Sequence, residues 1–151
     1  MAHSFLDTSA LVKYYHPENG TQQVSEIIET TNSLLFISRL SLVETVSAFA
    51  VKCRAGDIDE VGFTALRQRF YYDIGQGLFR IMPLTTARYQ EASQLIAKHF
   101  RKRLRTLDAL QLAVALALSN QGLIEHFVCA DHGLCATAME EGLSVVRPSD
   151  V

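Results

Sequence analysis

The segment Phe5-Leu-Asp-Thr-Ser-Ala-Leu11 begins with apolar residues and passes through an aspartate into a helical pattern. A short apolar run is typical of a buried strand, whereas Asp, Thr and Ser favour the residue that precedes a helix. The same arrangement recurs near the other end of the chain, in Phe127-Val-Cys-Ala-Asp-His-Gly-Leu134. We therefore predict two strand-to-helix units, with Asp7 and Asp131 where their strands end.

Short apolar runs alternate with longer helical patterns along the whole chain. Such alternation implies right-handed crossovers and a mostly parallel sheet that helices cover on both faces. We predict an α/β fold, a three-layer α/β/α sandwich with a sheet of about five strands. The predicted strands are Ser4–Leu6, Leu34–Ser38, Leu78–Met82, His126–Ala130 and Ser144–Val146. The predicted helices are Ser9–Tyr15, Thr21–Thr30, Leu40–Arg54, Asp59–Tyr72, Thr86–Arg103, Leu107–Asn120 and Leu134–Glu140.

The size and composition of the chain fit one compact domain. With 151 residues and a hydrophobic content of 48%, it can bury a core without disulfides, and we expect a single domain spanning residues 1–151. The three cysteines lack zinc-ligand spacing, which favours buried free thiols in a reducing compartment. Neither a signal peptide nor a membrane span is evident, so we expect a cytosolic protein.

Two further carboxylates have surroundings that ordinary helix chemistry explains less easily. The helical neighbours of Glu44 are small or apolar, with no cation among them. Asp108 opens an almost wholly apolar helix, for which Thr106 is the predicted N-cap. Because that helix is expected to be buried, its first turn should open on the interior or on a cleft.

Each of these four acids also has a purely structural interpretation. Asp7 and Asp131 are suited to helix caps, and Asp108 is suited to the helix dipole. Glu44 is also compatible with a solvated helix face. In an open parallel sheet, however, ligands gather beyond the carboxyl ends of the strands. A shared position at that edge would make the four acids a site.

Four segments, in this order and spacing, together resemble the PIN-domain family. They are Phe5–Tyr14, Leu42–Ala48, Leu104–Ala113 and Val128–Leu134. The resemblance extends over essentially the whole chain, implies a PIN-like fold, and carries the family's acidic residues onto Asp7, Glu44, Asp108 and Asp131. The opening segment and the length most resemble VapC-type toxin ribonucleases of toxin–antitoxin pairs. One departure is Cys129, where many family members have a threonine.

The resemblance implies a metal-dependent endoribonuclease with an RNA substrate, an antitoxin partner and a homodimeric assembly. Carboxylate ligands suit Mg²⁺, with Mn²⁺ as a substitute, and a divalent ion would relieve their mutual repulsion. We expect all four acids to be catalytic and to serve as metal ligands, chiefly Asp7 and Asp108. Asp131 would complete a second metal position, and Glu44 would also orient the nucleophile directly or through a water. The alternative is a PIN-like module that binds RNA or a partner without cleaving.

Substrate contacts are predicted mainly in the basic segment Lys98-His-Phe-Arg-Lys-Arg-Leu-Arg105. Because the net charge is −2, RNA must be bound locally, and this run is either a phosphate clamp or a solvated helix end. The candidate contacts are Arg101, Arg103 and Arg105, with Lys13 as a further candidate. Thr8 and Ser9 are candidates to orient Asp7 or a water, or to cap the first helix.

A second surface is predicted between residues 59 and 72. Phe63, Leu66, Phe70 and Tyr71 could form a groove there for the amphipathic segment of an antitoxin. The aromatic residues of this region are also suited to core packing.

Overall fold

A computed structural model describes residues 2–149 of the protein, and these residues form five strands and seven helices. The strands are β1 (Ser4–Leu6), β2 (Leu35–Ser38), β3 (Arg80–Met82), β4 (His126–Val128) and β5 (Val145–Val146). The helices are α1 (Thr8–Tyr15), α2 (Thr21–Glu29), α3 (Ser41–Arg54), α4 (Glu60–Gly75), α5 (Thr86–Lys98), α6 (Thr106–Asn120) and α7 (His132–Glu140).

The five strands form one sheet in the order β3-β2-β1-β4-β5, and every neighbouring pair is parallel. The chain builds outward from β1 through β2 to β3, and then returns to place β4 on the other side of β1. Strand order therefore reverses between β1 and β4, where Leu6 lies beside Val128. A crevice at the carboxyl ends of these two strands is the usual binding position in such sheets.

Residues of the strands alternate between two hydrophobic cores on opposite faces of the sheet. In β1, Phe5 packs into the core covered by α5, α6 and α7, and Leu6 packs into the core covered by α1 to α4. Phe127 and Val128 of β4 divide in the same way. Residues 109–115 of α6 are all buried, in accord with its apolar sequence. The three-layer α/β architecture predicted from the sequence is confirmed.

The predicted strands are all present, and their ends differ by at most two residues. Helix α4 ends at Gly75, three residues beyond the predicted Tyr72, and the predicted boundaries on both sides of the α5–α6 connection were wrong. The helix expected over Thr86–Arg103 ends at Lys98, because His99 leaves the helical conformation and its buried imidazole lies 2.8 Å from Glu141. Thr106 is the first residue of α6, and Arg105 holds the cap position with extended backbone and no side-chain cap bond.

The cysteines are free thiols, of which Cys129 and Cys135 are buried and Cys53 is half-buried. Within residues 2–149, no helix is both long and apolar enough to cross a membrane.

Candidate active site

Asp7 lies at the carboxyl end of β1, where it caps α1. Its Oδ1 accepts a hydrogen bond from the backbone N–H of Ala10 at 3.0 Å, and the Ser9 hydroxyl lies 2.8 Å from both carboxylate oxygens. Asp7 is only 3% exposed, and burial raises its pKa from 3.8 to about 6 although these hydrogen bonds lower it. Within residues 2–149, no basic side chain forms an ion pair with Asp7. A buried carboxylate without a cation is costly, and this is the usual situation of a metal ligand.

Asp108 lies in the first turn of α6 and interacts with all three of the other acids. Burial raises the pKa of Asp108, and the guanidinium of Arg105 lowers it. The negative charges of Asp131 and Glu44 raise the pKa of Asp108 further, and the charge of Asp108 in turn raises the pKa of Asp7. Three of the acids predicted from the sequence therefore lie around the fourth, Asp108, close enough for each to repel it.

Glu44, in the first turn of α3, is held by residues from two other helices. Its Oε1 accepts hydrogen bonds from Thr8 Oγ1 of α1 and from Gln111 Nε2 of α6, both at 2.8 Å. Thr8 Oγ1 also lies 2.9 Å from the hydroxyl of Ser41. Glu44 is therefore a partly buried, anchored carboxylate, and the solvated-face interpretation does not apply to it.

Asp131 lies in the turn between β4 and α7, and its two oxygens have different partners. Oδ1 caps α7 by accepting a hydrogen bond from the backbone N–H of Leu134 at 2.8 Å. Oδ2 lies 3.8 Å from the guanidinium of Arg105, whose Nε lies 3.4 Å from Asp108 Oδ2. Capping and membership of the acidic cluster are thus compatible, because the cap uses only one oxygen of the carboxylate.

Cys129, which replaces the threonine common in the family, is fully buried beside Asp7. Contact with Cys135 and burial both raise the pKa of the Cys129 thiol, so the thiol stays protonated and its hydrogen bond lowers the pKa of Asp7. The hydroxyl of Ser9 lies next to Cys129 in the chain's fold, because it accepts a hydrogen bond from the backbone N–H of the following residue, Ala130, at 3.0 Å.

The basic residues predicted to contact substrate differ in their distance from the acids. Arg105, with its side chain 76% exposed, bridges Asp108 and Asp131. Arg101 stacks over the ring of Phe100 at 4.7 Å, and Arg103 is exposed. Lys13 is tied to the carbonyl of Asn19 and to Glu18. The structure thus brings Arg105 to the acidic cluster, whereas Lys13 is bound elsewhere.

Two polar residues of the site, Gln111 and Ser41, were not among the residues predicted from the sequence. Both are almost fully buried: Gln111 donates to Thr8, Ser41 and Glu44, and the Ser41 hydroxyl lies 2.9 Å from the hydroxyl of Thr8. Gln111 could have been found, because it interrupts an apolar run one helical turn after Asp108 and so shares its face. Ser41 has no comparable sequence signal.

The donor set of the cluster fits a hard divalent cation. Among residues 2–149, no three carboxylate, imidazole or thiol groups are arranged as a ready-made metal cage. Mg²⁺ does not require one, since it commonly binds through one or two carboxylates and keeps several waters. The buried, unpaired carboxylate of Asp7 and the repulsion centred on Asp108 would both be relieved by such an ion.

The fold and the acidic cluster define an α/β protein with a carboxylate-lined site at the switch point of a parallel sheet. The chain belongs to the PIN-domain family, whose model matches residues 4–127. A comparison with proteins of curated function gave no match.

Solved structures with the same fold include three proteins of 18–19% sequence identity to this chain. VapC20 of Mycobacterium tuberculosis, described as a sarcin-ricin loop cleaving toxin, has a TM-score of 0.66, and the alignment covers 96% of this chain and 99% of that one. FitAcB of Neisseria gonorrhoeae has a TM-score of 0.69, with 96% and 97% covered. PAE2754 of Pyrobaculum aerophilum has a TM-score of 0.65, with 96% and 90% covered. At this identity, the likeness establishes the fold.

Proposed function

We propose that the protein is a metal-dependent endoribonuclease and the toxin of a type II toxin–antitoxin pair. The observation that carries this proposal is the electrostatic interaction of Asp108 with Asp7, Glu44 and Asp131 at the carboxyl edge of the sheet. The fold shared with VapC20, described as a sarcin-ricin loop cleaving toxin, supports RNA as the substrate class. A cytosolic location follows from that choice of substrate and partner.

Asp7 and Asp108 would be the main ligands of Mg²⁺ or Mn²⁺, and Asp131 and Glu44 would complete the set. A bound divalent ion lowers the pKa of a coordinated water and polarises the phosphodiester. Asp7 is fixed in position by the hydroxyl of Ser9 and by its cap bond to Ala10.

Glu44 is suited to orient the attacking water, because its Oε1 is anchored by two donors and Oε2 remains for the site. The attack in line with the leaving oxygen would give products with 5′-phosphate and 3′-hydroxyl ends, as the family resemblance also implies. A carboxylate in this position can accept the proton of the attacking water as the new P–O bond forms, and the 3′ oxygen, released as its bond to phosphorus breaks, would take up a proton from solvent.

RNA would be bound by the exposed basic segment 98–105 that leads into α6. Arg105 is the guanidinium nearest to the acids, so it is suited to contact the phosphate at the cleavage position. Arg101 and Phe100 together present a stacked cation and ring, a surface that suits an unpaired base. Arg103 would add a further phosphate contact.

An antitoxin would bind the exposed face of α4, as the sequence suggests. Of the predicted residues, Tyr71 is 48% exposed, whereas Phe63 and Leu66 are half-buried against the core. Phe70 is excluded from this surface, because it is fully buried against Tyr15 and Phe49. Val61 and Tyr72 are 78% and 65% exposed, and they lie about three helical turns apart on one face. This stripe suits an amphipathic helix or strand of the partner. A homodimer is expected from the family resemblance.

The nuclease proposal is tested by incubating the purified protein with structured RNAs and Mg²⁺, beside Asp7→Asn and Asp57→Asn. Asp57 is an exposed aspartate in the turn after α3 and serves as the matched control. We expect cleavage by the wild type and by Asp57→Asn, and none by Asp7→Asn or after chelation. Equal cleavage by all three proteins, or cleavage by none over a range of RNAs, would refute the proposal and favour a non-cleaving module.

The partner proposal is tested by co-purification with the product of the adjacent gene. We expect the double variant Val61→Asp/Tyr72→Asp to lose this partner and Gln90→Asp, an exposed change on α5, to retain it. Retention of the partner by the double variant would remove α4 as its binding surface.

A further inference from the structure

A buried polar cluster surrounds one oxygen of Glu44, and Gln111 is its central member. Gln111 is 2% exposed, and its Nε2 lies 2.8 Å from Glu44 Oε1, 3.1 Å from Thr8 Oγ1 and 3.2 Å from Ser41 Oγ. The cluster therefore joins α1, α3 and α6 at a point one helical turn along α6 from Asp108.

The other end of the same amide is left without a partner. Gln111 Oε1 is buried and accepts no hydrogen bond within the described residues. Reversing the amide would place Oε1, an acceptor, against the Glu44 carboxylate, which also only accepts. The carboxylate therefore fixes the orientation of the amide and leaves Oε1 without a donor. A buried acceptor without a donor opposes folding. An apolar side chain of the same length would serve the fold at least as well.

Glu44 is the residue that benefits from this arrangement. Two neutral donors converge on Oε1, the half-buried hydroxyl of Thr8 and the buried amide of Gln111. Within residues 2–149, no hydrogen bond to Oε2 is formed. The carboxylate is thus held by one oxygen and free at the other, and its charge acts on Asp108.

We propose that Gln111 is a positioning residue for Glu44: by holding Oε1 it fixes the carboxylate so that Oε2 serves the acidic site. This inference rests on the proposed function, which it deepens. Among the residues that the structure describes, removal of the amide leaves Thr8 as the only donor to Glu44 from outside α3. The carboxylate then samples more orientations, and both metal binding and turnover suffer, whereas RNA binding does not.

The experiment compares the wild type with Gln111→Met, which keeps the length of the side chain and removes its donor. Leu118→Met, a buried change near the other end of α6, is the matched control for repacking of that helix. Three quantities are measured: the Mn²⁺ dissociation constant by calorimetry, kcat and KM for RNA cleavage, and the melting temperature. Each is repeated in a Glu44→Gln background.

We expect Gln111→Met to weaken Mn²⁺ binding and to lower kcat by about tenfold each, the size typical of groups that orient metal ligands. KM should stay within about twofold of the wild-type value. The melting temperature should be unchanged or higher, because the variant lacks the buried Oε1 that has no donor. In the Glu44→Gln background, Gln111→Met should add no further loss, because the two residues act as one unit. Leu118→Met should leave Mn²⁺ binding and kcat unchanged.

The inference is overturned if Gln111→Met binds Mn²⁺ as tightly as the wild type, or if its losses persist in the Glu44→Gln background. A lowered melting temperature in proportion to the lost activity would equally overturn it, in favour of a structural role. If the wild type cleaves no RNA, the proposed function fails, and the calorimetric comparison still decides the role of Gln111. Absence of Mn²⁺ binding by the wild type would defeat both.

Discussion

The hydroxyl of Ser9 accepts a hydrogen bond from the backbone N–H of Ala130 at 3.0 Å. This bond joins the turn after β1 to the turn after β4, the two turns that carry Asp7 and Asp131. The same hydroxyl donates to the buried carboxylate of Asp7 at 2.8 Å. One side chain therefore connects the two halves of the acidic cluster across the switch point of the sheet.

Ser9→Ala is expected to lower the free energy of unfolding by about 1–3 kcal/mol. The variant leaves the N–H of Ala130 without an acceptor and removes a donor to the buried carboxylate of Asp7. Chemical denaturation measures this change. Ser47→Ala, an exposed change on α3, is the control and should stay within about 0.5 kcal/mol of the wild type. A Ser9→Ala protein as stable as the control would show that the connection is not stabilising.

Asp7→Asn is expected to stabilise the metal-free protein near neutral pH. The pKa of Asp7 is raised by burial from 3.8 to about 6, so the folded state binds this proton more tightly than the unfolded state. The stabilisation from the protonated form is complete below pH 4 and is lost as the pH rises through 6. A pKa raised by about two corresponds to at most about 3 kcal/mol, which asparagine would recover above pH 7.

Thermal melts in chelator at pH 4.5 and pH 7.5 measure this effect. For a protein of this size, 1 kcal/mol shifts the melting temperature by about 2–4 °C. The gain from Asp7→Asn should be clear at the higher pH and small at the lower. An equal gain at both pH values would mean that Asp7 titrates alike in the folded and unfolded states.

Divalent ions are expected to stabilise the wild type and to do so less at acid pH. Since a proton and the ion compete for Asp7, the apparent dissociation constant for Mn²⁺ should weaken by up to about tenfold per pH unit below 6. At about 100 times that constant, the ion should add about 2.7 kcal/mol of stability. Melts with Mg²⁺ or Mn²⁺ check this, and Asp108→Asn should abolish the response. A response of that variant equal to the wild type would exclude Asp108 as a ligand.

Arg105→Ala is expected to have opposite effects on the two ligands of the site. Removing the guanidinium that bridges Asp108 and Asp131 removes a cation that competes with the metal, so Mn²⁺ should bind more tightly. RNA should bind more weakly. The slope of the logarithm of the RNA association constant against the logarithm of the salt concentration should decrease in magnitude by about 1. Titrations at several salt concentrations measure both, with the exposed Arg80→Ala on β3 as the control. If RNA binding is unchanged at low salt, Arg105 is no phosphate contact.

Local sequence determined the order of strands and helices and the positions of the acids. An apolar run favours a buried strand, and an Asp, Thr or Ser that follows it favours a helix cap. Both preferences depend only on residues that are neighbours in the sequence. Asp7 and Asp131 accordingly form the cap bonds that their sequence suggests. The apolar character of α6 likewise required it to be buried wherever it packed.

Tertiary structure alone decided which polar groups meet. Thr8 and Gln111 are separated by 103 residues, yet they share Glu44, because the sheet places β1 beside β4 and brings α1, α3 and α6 together. Helix α5 ends at Lys98, where His99 makes a long-range contact with Glu141. Phe70 is buried in the core by its packing against Tyr15. Such contacts depend on strand order and on the three-dimensional path of the chain, which a local pattern does not encode. The sequence by itself therefore supplied the acids, and the fold supplied the groups that hold them.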